Sequence, residues 1–101
     1  MSFEIIITSF AEHDLLDALE YYNSKKTGLG DELVDELDKV FKMIEVNPEQ
    51  FPVVLDKTRK AVIKRFPFNV YYIIVGPKVF VTAIFNTWRK PRIWKERSGI
   101  H

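Results

Sequence analysis

The sequence contains no cysteine. Disulfides, cysteine–zinc sites and thiol nucleophiles are therefore excluded from its chemistry. Histidine is almost as scarce: His13 and His101 are the only two, 88 positions apart. Such a pair does not suggest a metal centre, and neither a metal nor a cofactor is expected. No apolar run reaches the roughly 18 residues that a membrane-spanning helix needs. Met1-Ser2-Phe3-Glu4 lacks the basic start and long apolar stretch of a secretory signal, so a cytoplasmic protein is expected. Neither an internal repeat nor a low-complexity linker interrupts the chain.

What remains is 101 residues that are 47% hydrophobic, 29% charged and 14% aromatic. That apolar content excludes disorder as the main state. The length suits one globular domain spanning residues 1–101.

The net charge is +1, but it conceals a division. Residues 1–55 carry four basic and twelve acidic side chains, a net of −8. Residues 56–101 carry eleven basic and two acidic ones, a net of +9. A split of this size points to a polyanion or an acidic protein as partner of the basic half.

The segment FEIIIT, Phe3 to Thr8, reads as a short β-branched strand. Ser9-Phe10-Ala11-Glu12 matches a capping box with Ser9 as N-cap. A helix from about Phe10 to Ser24 follows, with Leu15, Leu19 and Tyr22 at helical spacing and Leu16 and Ala18 widening the stripe. Glu12, Asp14, Asp17 and Glu20 are expected on its exposed face, and His13 on the surface near them. Gly28-Leu29-Gly30 reads as a turn. Leu33, Leu37, Val40, Phe41 and Ile44 then mark an amphipathic helix from about Asp31 to Val46. Pro48 ends it, because the residue before a proline avoids helical backbone. The short link predicts an antiparallel helical hairpin.

Beyond Phe51 the pattern changes to strands: Lys60 to Arg65, Asn69 to Val75 and Lys78 to Phe85. The last two are joined by Gly76-Pro77 as a hairpin. Their unbroken apolar runs suit central strands buried on both faces. Tyr71 and Tyr72 should point to opposite faces. Pro91 can open a short last helix, with Ile93 and Trp94 packing inward. The expected architecture is α+β, in the order β-α-α-β-β-β with a C-terminal helix. The helical hairpin should pack on one face of a mainly antiparallel sheet.

Several phrases in this order resemble the RelE/ParE superfamily of toxins from type II toxin–antitoxin systems. They are Ala11, Asp14, Leu15, Ala18, Tyr21 and Tyr22 in the first helix, then Gly28 to Gly30, Asn47-Pro48 and Gln50 to Pro52. Arg59, the block Arg65 to Tyr72, and Trp88 to Arg97 complete the set. Together they look most like the ParE, or plasmid-stabilisation, branch. The resemblance implies the same β-α-α-β-β-β fold and a growth-inhibiting toxin held by a cognate antitoxin in a hetero-oligomer. The target it implies is DNA gyrase for ParE-like members and mRNA on the ribosome for the ribonuclease members.

Metal-free RNA cleavage needs a base, an acid and cations around the phosphate. By resemblance, the ribonuclease branch would use Lys60, Arg65 and Arg89 here. Its arginine before the third strand is replaced by Asn69, and Asn86 stands where many members have histidine. Depletion of this set favours binding of a protein target over RNA cleavage. An inactive homologue kept as a binding partner is a further reading. The surface expected to face target and antitoxin comprises Arg59, Lys60, Arg65, Arg89, Arg92 and Arg97.

Overall fold

The computed structural model describes residues 2–86. The chain begins with strand β1 (Glu4–Ile7), followed by helices α1 (Ser9–Lys25) and α2 (Leu29–Val46). A single 3-10 turn, Pro48–Gln50, leads to strands β2 (Val53–Leu55), β3 (Thr58–Val62), β4 (Phe68–Val75) and β5 (Lys78–Asn86). The five strands form one sheet in the order β1-β5-β4-β3-β2. Only β1 and β5 run parallel; the other pairs are antiparallel. This is the α+β arrangement that the sequence predicts. No helix among the described residues is long and apolar enough to cross a membrane. The expected C-terminal helix, with Ile93 and Trp94, lies outside the described residues.

Both helices cover one face of the sheet. Leu33, Leu37, Val40 and Ile44 of α2 meet Ala61, Val70, Tyr72, Val79, Val81 and Ile84 in the main core. The i, i+4, i+7, i+11 spacing puts these α2 side chains on one stripe, and each is at most 7% exposed. The opposite sheet face holds a smaller cluster of Tyr71, Ala83 and Phe85, with Leu55 against it. Tyr71 and Tyr72 therefore do point to opposite faces, and both are buried. Every residue from Phe68 to Ile73 is buried, as expected of a central strand.

Four differences from the sequence expectations have physical causes. The N-cap of α1 is Thr8, not Ser9: the Thr8 hydroxyl accepts from the Ala11 N–H at 3.3 Å. Thr8 is held there because its own N–H and hydroxyl both donate to Val81 O, at 3.1 and 2.8 Å. Second, α2 starts two residues early, at Leu29, with Gly28 in the left-handed region at φ 88°. Gly30 belongs to its first turn, and the Gly30 N–H donates to Asn23 Oδ1 of α1 at 2.9 Å. A Cβ at position 30 would lie 2.7 Å from the Asn23 side chain, so any larger residue would displace the Asn23 amide from its bond to this N–H.

Third, the strand expected over 60–65 is Thr58–Val62, and the three-residue β2 joins it as an edge. Ile63 to Pro67 instead form a loop in which Arg65 adopts φ 73°. Fourth, β5 carries a bulge. Tyr71 pairs with Ala83 but Tyr72 pairs with Val81, leaving Thr82 as the extra residue. The Thr82 hydroxyl donates to Tyr71 O at 3.3 Å. The bulge switches which residues of β5 face the helices: Val79 and Val81 before it, Ile84 after it.

Candidate functional site

The bulge lies where β1 leaves the sheet. The last β1–β5 register pair is Ile7 with Val81, so β5 continues past its neighbour. Its next edge donor, the Ile84 N–H, is taken by the Asp14 carboxylate of α1 at 3.1 Å. Asp14 is 5% exposed. The sequence placed it on the solvent face of α1, with Glu12, Asp17 and Glu20; the structure corrects that. Aspartate is here because a strand outruns its partner and a buried N–H must be paired. Leu16, expected to widen the apolar stripe, is 56% exposed instead. Asp14 also lines a cleft of about 300 Å³ with Tyr21, Tyr22, Phe68 and Asn86. Asp14, Tyr21 and Tyr22 belong to the first-helix phrase of the resemblance, Phe68 to its Arg65–Tyr72 block, and Asn86 to its histidine position; the fold gathers them around one cleft.

His13 sits on the surface of α1, with Nε2 3.6 Å from Asp17 Oδ2. That is the surface position expected of it.

Of the six candidate binding residues, three are described. The Arg59 Nη1 group donates to Glu49 O at 3.0 Å and to Phe51 O at 2.6 Å. It thereby fastens the segment between α2 and β2. Beside it the Tyr72 hydroxyl donates to Pro48 O at 2.5 Å. Burial pushes the Tyr72 hydroxyl up to about 12, with the Arg59 charge pulling the other way. Lys60, the next residue of β3, is on the opposite face and in register with Tyr71. Arg65 lies in the loop before β4, against the first turns of α2. Its guanidinium reaches Glu32 Oε1 at 2.5 Å and Glu36 Oε2 at 3.8 Å. Glu36, almost wholly buried, also accepts from Lys39 Nζ at 3.1 Å. The hydrogen bond from Arg65 holds the Glu32 carboxyl below its ordinary value, against partial desolvation and with help from the Arg65 and Lys26 charges.

These three cations thus address three places: a loop anchor, the far sheet face and the α2 carboxylates. Arg89, Arg92 and Arg97 lie outside the described residues. Asn69 is buried in β4, and its Nδ2 donates to the Tyr71 hydroxyl at 3.3 Å. Asn86 closes β5.

The charge division in the sequence is also a division in space. Glu12, Asp17, Glu20, Asp31, Asp35, Asp38 and Glu45 are exposed on the two helices. Lys57, Lys64, Arg65 and Lys78 are exposed on the strands and their loops.

Fold and charge define a class: a small α+β domain with an acidic helical hairpin on one face of a basic, mixed sheet. No protein-family model and no curated protein matches the chain. A solved structure does: a chain of the "Chromosomal ParDE TA system from P. aeruginosa" superposes with a TM-score of 0.74. The match covers 84% of this chain and 96% of that one, at 17% identity. The likeness is one of fold, in agreement with the β-α-α-β-β-β arrangement that the sequence resemblance implied.

Proposed function

We propose that the protein is the toxin of a type II toxin–antitoxin system, ParE-like, acting in the cytoplasm by binding a protein target such as DNA gyrase. A cognate antitoxin would neutralise it. The observation that carries this reading is the fold likeness to a chain of a ParDE system over 84% of this chain and 96% of that one. The order of the motifs in the sequence supports it independently of the fold. The basic surface, comprising Arg59, Lys60, Arg65, Arg89, Arg92 and Arg97, is the side assigned to target and antitoxin. Exposed cations steer encounter with an acidic partner.

Ribonuclease action through Lys60, Arg65 and Arg89 is the second reading. Two placements weigh against it. Arg65 is occupied by the Glu32 and Glu36 carboxylates, and Asn69 offers a buried amide where that chemistry needs a cation. An inactive homologue retained as a partner is the third. Induced expression, with and without the protein encoded by the adjacent reading frame, separates them. Growth arrest relieved by the neighbour, with intact mRNA ends and gyrase-type DNA damage, is the expected result. Mapped mRNA cleavage would transfer the assignment to the ribonuclease, and unimpaired growth to the inactive homologue.

A further inference from the structure

The outer edge of β1 has backbone groups that no described residue pairs. The Glu4 N–H donates to Pro77 O at 3.1 Å and the Thr8 N–H to Val81 O at 3.1 Å. In a parallel pair, alternate residues bond to the same neighbour. Glu4, Ile6 and Thr8 therefore turn their peptide groups toward β5, while Phe3, Ile5 and Ile7 turn theirs outward. The Phe3 N–H is taken by Glu45 O at the end of α2, at 2.9 Å. The outward groups of Ile5 and Ile7 have no partner among the described residues.

This edge also lacks the usual protection. It holds no proline, no lysine and no bulge, and its only charge is Glu4. Its flank is apolar: Ile7 is 38% exposed, Met43 46% and Val46 71%. The Phe3–Glu45 bond places Met43 and Val46, in the last turn of α2, at the start of β1.

We propose that this edge is a docking surface for a second copy of the chain, paired antiparallel through β1 about a two-fold axis at Ile6. The edge is self-complementary in that register. Ile5 of each copy faces Ile7 of the other, so the outward donors and acceptors of both residues are used in four hydrogen bonds. Ile6 meets Ile6 across the axis as a close, non-hydrogen-bonded pair. Glu4 falls opposite Thr8, so no like charges face each other. The same rotation carries Ile7 of one copy toward Met43 and Val46 of the other, joining the exposed apolar ends. A seam five residues long, Glu4 to Thr8, with three apolar side chains at each end belongs to the small interface class, below about 1,200 Å² in total. The dimer is therefore concentration-dependent.

Sedimentation velocity on the full chain, from low micromolar to near-millimolar concentration, tests this. The wild type should shift reversibly from monomer to dimer. Ile7→Pro removes an outward N–H and leaves the β1–β5 ladder intact, so it should weaken the dimer about tenfold or more. Val46→Glu should weaken it too, by placing carboxylates in the apolar contact. Circular dichroism melting checks that both variants fold. In the dimer, the Ile5 and Ile7 amides should become protected from hydrogen exchange. A chain that stays monomeric throughout, or a dimer indifferent to both variants, overturns the proposal. So does protection of Ile5 and Ile7 only when the adjacent gene product binds, which would assign the edge to that partner.

Discussion

The two helices of the hairpin lie side by side and are held by different means. α2 is fixed by apolar burial: Leu33, Leu37, Val40 and Ile44 fill the centre of the core. α1 is fixed to β5 by small residues and polar bonds. Its buried residues are Ala11, Asp14 and Ala18, while Leu15, Leu19 and Tyr22 are only partly covered. Thr8 bonds to Val81 and Asp14 to Ile84, so the start of α1 continues the edge pairing that β1 abandons. A helix seated by volume advertises itself in the spacing of its leucines. A helix seated by capping a strand edge does not, because its decisive side chain is polar and resembles its solvent-facing neighbours.

Stability measurements can break this contrast, beginning with the largest effect. Leu37→Ala opens a cavity at a 1% exposed position and should cost about 2–5 kcal/mol in urea unfolding. Asp14→Ala orphans the buried Ile84 N–H and should cost about 1–3 kcal/mol. Asp17→Ala, on the exposed face, should stay within about 0.5 kcal/mol. Equal losses for the two aspartates would sink the edge-capping role. Next comes the cap. Thr8→Ala should cost about 0.5–2 kcal/mol, whereas Ser9→Ala should be nearly silent. The reverse order would restore Ser9 as N-cap.

The smaller effects are electrostatic. The folded Glu32 carboxyl lies below its ordinary value of 4.5. Its pairing with Arg65 therefore adds stability above that pH, and the contribution is lost as pH falls through the folded value. The difference between wild type and Glu32→Gln should narrow in acid and in high salt. At the alkaline end, Tyr72 is raised from 10.0 to about 12. Its contribution is complete below pH 10 and disappears as pH rises toward 12. Ultraviolet titration of Tyr72→Phe should lack the latest phase of tyrosine ionisation.

Much of the fold is legible in the residues. The α2 stripe, the helical hairpin, the β4–β5 hairpin and the opposed faces of Tyr71 and Tyr72 all follow from periods of 3.6 and 2. Three features are not. β2 is three residues long and takes its place only by pairing with β3. The Thr82 bulge hides inside an unbroken run, where either facing reads as apolar. Asp14 looks like any helical aspartate until Ile84, 70 positions away, is brought beside it. The candidate cations show the same limit. Arg59, Lys60 and Arg65 form one basic tract by composition. In three dimensions Arg59 secures a loop, Lys60 faces the far side of the sheet and Arg65 engages α2.

By itself the sequence determined the two helices, the β4–β5 hairpin, the buried stripe of α2, and that acid and base occupy different halves. Those are properties of nearest neighbours and of period, and they need no folded partner. Tertiary structure alone decided where β5 outruns β1, which carboxylate closes that edge, and which arginine is already paired. Each depends on a donor meeting an acceptor from a distant part of the chain, and only the assembled sheet brings the two within hydrogen-bonding distance.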